Sequence, residues 1–482
     1  MPEHTAVHQI DLAPDSASDI VPDIVPASDL PFYEGIFDWL SEKLRPVGLP
    51  RPLRKRLAVV VAGLVASQKA TIGELTTAIG GLAISEAQPE SIARRLQRSL
   101  SDARLDPSLL PLVFRPILPE LLRSSLVAHT ENTGTSEAHH RRFIGLTLIF
   151  DESSQAEFVH LAVVGVPIGG VVLPLAVRTW PQNVDLPAGE YWTQVSGLFQ
   201  EVQEMMPAEL RDHVLLVADR LSGVPRMLDI LSALDWNWLL RTQGQTQVRL
   251  ADGTCRPLRT LVPKPGTQWT SDPDTKPTAQ GLGEGSDERT CEESDSASPS
   301  VFKAVGWRRS RVVAIWAAGQ AEPWLLLTSL SGTLARVAEY AERWAIERLF
   351  LSWKSHGWEI EQSGIHDPIR LGRLLTGLAI ATLWRLVFAL PEALQKLAHL
   401  ASRTARPSRQ VPRSGPAASP RPWAAKYSLL TTGAKVAQIA SLRTRTPALC
   451  WQFPLVAWAG RSWREVCRDT ILSSRGQFSV SP

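Results

Sequence analysis

The sequence predicts an α/β chain, with a sheet core interrupted by a β-rich insertion, helices before it and a helical, basic tail after it. Three observations predict this. Residues 32–130 carry apolar side chains at helical spacing. From Arg142 onward the pattern switches to short β-branched runs separated by turns, and then strands alternate with helices. A tract from about Lys264 to Ser300, rich in Gly, Ser, Thr, Asp and Pro, separates two stretches of regular pattern. With 482 residues the chain is long enough for several structural units, and 44% hydrophobic residues exclude a wholly disordered protein.

Residues 1–31 repeat Asp, Pro and Ser and read as a disordered acidic leader. In 32–130, the run Leu57 to Ala66 is a buried helix. Thr71 and Glu74 form a capping-box pattern at the start of the next helix. A third helix begins near Pro89 and carries Arg94, Arg95 and Arg98. Helix, glycine-rich turn and basic helix fit either a helix-turn-helix DNA reader or an ordinary bundle with a solvated basic face. Three strands are expected at 143–150, 157–166 and 170–179, then a helix at 189–205, a strand at 213–218, a helix at 224–234 and a strand at 236–242. That order, over 140–244, is the order of an RNase H-like core. Residues 245–330 read as the β-rich insertion with a mobile loop. Residues 331–392 return to the core, with a continuous helix from Thr333 to about His356 and an apolar one from Pro368 to Leu390. Residues 393–482 read as a basic linker and C-terminal region.

Charge is distributed unevenly. The net charge is only +3, but 1–42 hold no Lys or Arg, and 393–464 hold no Asp or Glu. The basic end suits an anionic partner. The four cysteines lie far apart with no CxxC pair, which argues against a zinc site or disulfide framework and for a reducing compartment. The acidic N-terminus is unlike a signal peptide, and no apolar run reads as a membrane span, so a cytoplasmic protein is expected.

The chemistry centres on three carboxylates. Asp151 is expected to end one apolar strand and Asp219 another. Carboxylates at the ends of neighbouring core strands converge at one sheet edge. Alone, either could be a mere turn former. The helix containing Glu347 shifts the balance: Tyr340, Arg343 and Glu347 are spaced three and four apart, with Lys354 two turns further on the same side. A phenol, a guanidinium, a carboxylate and an ammonium on one face suit a polyanion held beside a metal centre. Glu152 points to the opposite side of its strand, Glu342 faces away by helical phase, and His356 and His366 suit capping or packing better than chemistry.

The spacing Tyr-x2-Arg-x3-Glu-x6-Lys, filled here by Tyr340, Arg343, Glu347 and Lys354, resembles the signature of a group of bacterial insertion-sequence DDE transposases. Asp219-Arg220 followed by a helix and Trp238-Leu-Leu-Arg is similar to that group's second-aspartate region, and the resemblance covers roughly 140–390. It implies a magnesium-dependent DNA endonuclease and strand-transfer enzyme active in DNA recombination. Asp151, Asp219 and Glu347 would be its catalytic and metal ligands for two Mg²⁺ ions, with Mn²⁺ as a substitute. Tyr340, Arg343, Lys354 and Arg220 would contact DNA at the site, and Arg94, Arg95 and Arg98 would bind it elsewhere. The partners implied are double-stranded DNA (terminal inverted repeats and target) and a second copy in a homodimer, with no membrane and with location at the nucleoid. Trp307 or Trp316 could stack on a displaced base, though burial suits both better. Two alternatives stand: a transposase-derived DNA-binding protein that does not cut, and an RNase H-like nuclease without strand transfer. A departure from the pattern is Glu-Ser-Ser after Asp151.

Overall fold

The computed structural model describes residues 32–115 (except 68 and 83), 118, 145–272 (except 169) and 299–388 (except 356). The acidic leader, most of the polar tract, the basic C-terminal region, His139, His140, His356, Cys291, Cys450 and Cys467 lie outside the described residues. The architecture is mixed α/β: helices packed on a large mixed sheet.

The described residues begin with helices α1 (Phe32–Leu44), α2 (Arg51–Ser67), α3 (Ile72–Gly81), α4 (Pro89–Ser101) and α5 (Leu110–Phe114). Thr71 caps α3 by accepting from the Glu74 amide at 3.3 Å, as its pattern predicts. Proline at the first position of α4 costs no hydrogen bond there and fixes the helical φ.

Strands β1 (Leu146–Gln155), β2 (Val159–Ile168) and β3 (Val171–Pro181) form an antiparallel meander. Helix α6 (Glu190–Met205) leads to β4 (Val214–Ala218), and α7 (Pro225–Ala233) leads to β5 (Asn237–Arg241). Strands β1, β4 and β5 pair in parallel. Parallel strands need crossovers, which α6 and α7 provide in this chain. Beyond them come β6 (Gln247–Arg249), β7 (Cys255–Pro257), β8 (Thr267–Thr270), β9 (Ser300–Val301), β10 (Arg308–Arg309), β11 (Arg311–Trp316) and β12 (Trp324–Thr328). The described residues end with α8 (Ala335–Ala341), α9 (Trp344–Lys354) and α10 (Pro368–Phe388).

The large sheet runs β3-β2-β1-β4-β5-β12-β11-β8, and a small one runs β10-β9-β6-β7. The sequence expectation differs here. It assigned 245–330 to an insertion, yet β12, β11 and β8 continue the large sheet antiparallel beyond β5. Only β6, β7, β9 and β10 stand apart, and Val248 and Val301 pack them against Val312, Ala314, Leu325 and Leu327 of the large sheet. Strand β8 also lies inside the tract that reads as loop from sequence, since Thr, Gln and Trp pair through the backbone without an apolar run.

Helices α1–α5 share one apolar core with the sheet and α10. The junction is polar at its centre. The carbonyl of Leu64, one of the last four of α2 and so without a helical partner, accepts from the Trp358 indole at 2.7 Å and from Arg385 at 3.4 Å. The amide of Ala70 donates to the Trp358 carbonyl at 2.7 Å. The Arg385 guanidinium lies 3.4 Å from the centre of the Trp358 ring, and full burial pulls its pKa down to about 9. Trp358→Phe keeps the ring's bulk but removes the indole donor from a buried carbonyl. It should destabilise the chain by about 1–3 kcal/mol in urea denaturation; an unchanged midpoint would show that the junction does not depend on this bond.

Candidate active site

Asp151 and Asp219 are set by strand register. The parallel ladder between β1 and β4 ends with Phe150 opposite Ala218, so Asp151 and Asp219 are the next residues on neighbouring strands and share a face. Asp151 does not end β1, contrary to expectation. It sits mid-strand, opposite Val163, because the β1–β2 hairpin runs on to Gln155 after β4 has stopped. Asp219 does end its strand. Its carboxylate accepts the Leu221 amide at 2.9 Å, its carbonyl accepts that of Ser222, and this turn fixes its position. The turn depends on Gly223, where an added Cβ would lie 2.1 Å from the Arg241 carbonyl oxygen.

Alternation along β1 separates the acidic side chains. Phe150 packs edge-on against Phe199 of α6, and Glu152, two residues on, accepts a 2.8 Å hydrogen bond from Tyr191 of the same helix. Asp151, between them, faces α9. Glu152 therefore lies away from Asp151, as its strand position predicts. The Tyr191–Glu152 pair was not singled out from the sequence, because nothing local signals that α6 places a phenol there. Burial first, then Glu152 and Asp219, push the Tyr191 pKa up, so its hydroxyl keeps its proton. His160 lies 3.2 Å from the other Glu152 oxygen and stacks on Trp180.

The third carboxylate arrives from α9. Expectation placed Tyr340, Arg343, Glu347 and Lys354 on one continuous helix. Instead the chain breaks between α8 and α9, and Arg343 and Ile346 bond to carbonyls three residues back. Such tighter winding nearly eclipses residues three apart. It sets Arg343 beside Tyr340, whose carbonyl accepts the Arg343 amide at 3.0 Å. From there the guanidinium donates to Asp151 at 2.8 Å and to Glu347 at 2.5 Å, so one fork spans the gap between sheet and helix.

The site is electrostatically loaded. Burial raises the Asp151 pKa to about 6; Arg343 opposes that rise, while Asp219 and Glu347 add to it. Asp151 thus feels both other carboxylates. Its side chain is 14% exposed, whereas that of Glu347, at the mouth, is 41% exposed.

The other predicted residues are distributed differently. Tyr340 is 2% exposed, packed edge-on against Trp324 among Leu215, Val217 and Leu239, so its ring is unavailable to a phosphate. Burial raises its pKa and outweighs Arg343. Lys354 ends α9 some 3.9 Å from Glu361, and burial lowers its pKa. Arg220 is exposed and turns to Glu322 at 3.0 Å, which Arg241 also meets at 3.3 Å. Arg94, Arg95 and Arg98 are exposed on α4. Trp316 is buried, as expected. Trp307 is only partly buried and lies beneath Arg249, 4.8 Å from ring centre to guanidinium carbon. His366 stacks on Phe158, a packing role.

Among the described residues no three His, Cys, Asp or Glu side chains already converge as a metal cluster, and Arg343 bonds to both Asp151 and Glu347. No protein-family model and no curated protein matches the chain. No single described helix is long and apolar enough to cross a membrane.

The raised Asp151 pKa has a testable sign. The native state holds this proton more tightly than the unfolded chain does. The associated stability is present below pH 3.8 and is lost as pH rises through about 6. Asp151→Asn should therefore raise metal-free stability at pH 8 by on the order of 2 kcal/mol, and the gain should fade toward pH 4. Thermal melts across that range in EDTA check this; an Asn variant less stable than wild type at pH 8 would refute the charge assignment.

Proposed function

We propose that the chain is a DDE transposase with an RNase H-like core, which cuts DNA at element ends and joins the freed 3′ hydroxyl to target DNA. One observation carries the reading: Asp151 and Asp219 lie in register on neighbouring parallel strands, and a single guanidinium links Asp151 to Glu347 on the facing helix. Three antiparallel strands followed by two parallel ones, in the order β3-β2-β1-β4-β5, support the core assignment.

The donor set fits magnesium, which favours hard carboxylate oxygens and keeps several water ligands. Asp151, Asp219 and Glu347 would hold it. Divalent ions held there would supply activation of an attacking oxygen and charge stabilisation of a leaving one. The chain's own contribution is positional. Strand register holds Asp151 and Asp219, and the α8–α9 turn holds Glu347. Arg343 occupies the gap as an internal counter-cation and must leave at least one carboxylate for both to face a metal ion. A phosphate suits it as the alternative partner, since the guanidinium fork matches either anion. Lys354, two turns from Glu347, extends the cationic side of the helix. The partners on this reading are double-stranded DNA at inverted repeats and target, and a second copy to hold the paired end.

Asp151→Asn, Asp219→Asn and Glu347→Gln should each abolish Mg²⁺-dependent cleavage of an end-bearing duplex while leaving its binding within about threefold. Near-normal cleavage by any of them would remove that residue from the site. With a pre-cut 3′ end, joined product is expected, and persistent hydrolysis without joining would point to a nuclease instead. Arg343→Ala separates two roles. Mn²⁺ binding without DNA, followed by titration calorimetry, should tighten as the internal cation is lost, while cleavage falls and its salt dependence becomes shallower, with one phosphate contact fewer. Weaker Mn²⁺ binding would make Arg343 a support of the metal site rather than a placeholder.

A further inference from the structure

A second feature lies among the amino-terminal helices. Helices α1, α2, α3 and α4 enclose an open cleft of about 510 Å³. Its floor is apolar, formed by Val59, Ile79, Ile84 and Leu96. Its rim carries four cations, Lys55 and Arg56 from α2 and Arg95 and Arg98 from α4, and among the described residues no Asp or Glu lines it. Tyr33 closes one end; burial, with Glu34 adding, pushes its phenol up to about 12, so it stays a neutral donor.

The cations are loosely committed. Arg95 reaches the Ser85 hydroxyl at 3.4 Å, and the Lys55 ammonium lies 5.9 Å from the Phe37 ring centre. Arg56 meets Asp102 at 3.2 Å, but Arg104 takes both oxygens of that carboxylate at 2.9 Å. Arg94, on the same helix, does not line the cleft. Side chains extended from a helix face would be the expected device for reading a duplex, because the major groove admits a projecting element. A concavity of this size cannot receive a double helix and falls in the range of small-ligand sites, roughly 300–1,000 Å³.

An apolar floor beneath a cationic rim suits a nucleotide, with the base packed on the aliphatic floor and its phosphates at the guanidinium groups. We propose that this cleft binds an unpaired nucleotide of a DNA strand. The site is separate from the carboxylate centre, and it alters what the basic residues of α4 contribute. Arg95 and Arg98 grip a strand whose base has left the stack, and Arg94 lies outside that grip.

The test uses the full chain in EDTA, so that cleavage plays no part. Fluorescence anisotropy compares a labelled thymidine 12-mer, the matched duplex and thymidine monophosphate as competitor, for wild type, Arg95→Ala/Arg98→Ala and the cleft-filling Ser85→Trp, with folding checked by circular dichroism. Both variants should weaken single-strand binding at least tenfold and duplex binding by less than about threefold. A 12-mer carrying 5-iodouracil should photo-crosslink to Tyr33. Equal losses for single strand and duplex would overturn the proposal, as would unchanged binding by Ser85→Trp or crosslinks found only elsewhere. Thymidine monophosphate competing as well as the oligonucleotide, per nucleotide, would overturn the DNA source in favour of a free nucleotide. None of these outcomes bears on whether the carboxylate centre cuts.

Discussion

The Arg343 guanidinium is the contact on which the acidic face depends. Three carboxylates directed into one partly buried region repel one another, and a shell of low polarizability strengthens that repulsion. The fork of Arg343 offsets it by donating to Asp151 on the sheet and to Glu347 on the helix. The same bonds tie α9 to β1 across a gap that no apolar contact between these residues could close. A lysine would give one point charge with no planar fork and could not match both oxygens in the same way. The tightened turn before α9 is part of this constraint, since it brings Arg343 under Tyr340 and aims it inward.

Much of the sheet was legible in the sequence because its strands are apolar runs bounded by turns, a local signal. Helices α2 and α4 were legible for the same reason, through period and capping. What could not be read were the consequences of pairing between distant segments. That β12 and β11 extend the main sheet depends on hydrogen bonds to β5 and to each other, and nothing in their sequence separates that from a detached insertion. The position of Asp151 shows the same limit. The strand-end reading came from the apolar run stopping at Phe150, but β1 continues through Asp-Glu-Ser-Ser because β2 keeps pairing with it.

At the candidate site, the spacing of Tyr340, Arg343 and Glu347 grouped residues that the structure also brings together, but gave no depth. Tyr340 and Arg343 proved inward-facing, the first packed in an apolar cluster and the second bonded to carboxylates. Helical phase assigns a side, whereas burial depends on what the rest of the chain places opposite. Strand phase did better with Glu152, because alternation is strict enough to send neighbours to opposite faces. That separation leaves Asp151 and Glu152 in different electrostatic surroundings, one against a guanidinium and the other against a phenol.

The junction at Trp358 bears on how such a chain can change over evolutionary time. Segments that meet through a surface linker can be exchanged, duplicated or lost with little effect on their neighbours. Here the end of α2 is completed by an indole and a guanidinium that lie 294 and 321 residues later in the sequence. The early helices are consequently a layer of the same folding unit and not a detachable cassette. Substitutions at Trp358 and Arg385, which meet the same main-chain carbonyl, should be coupled, and change in the early helices is easier on their outward faces than on the inner ones.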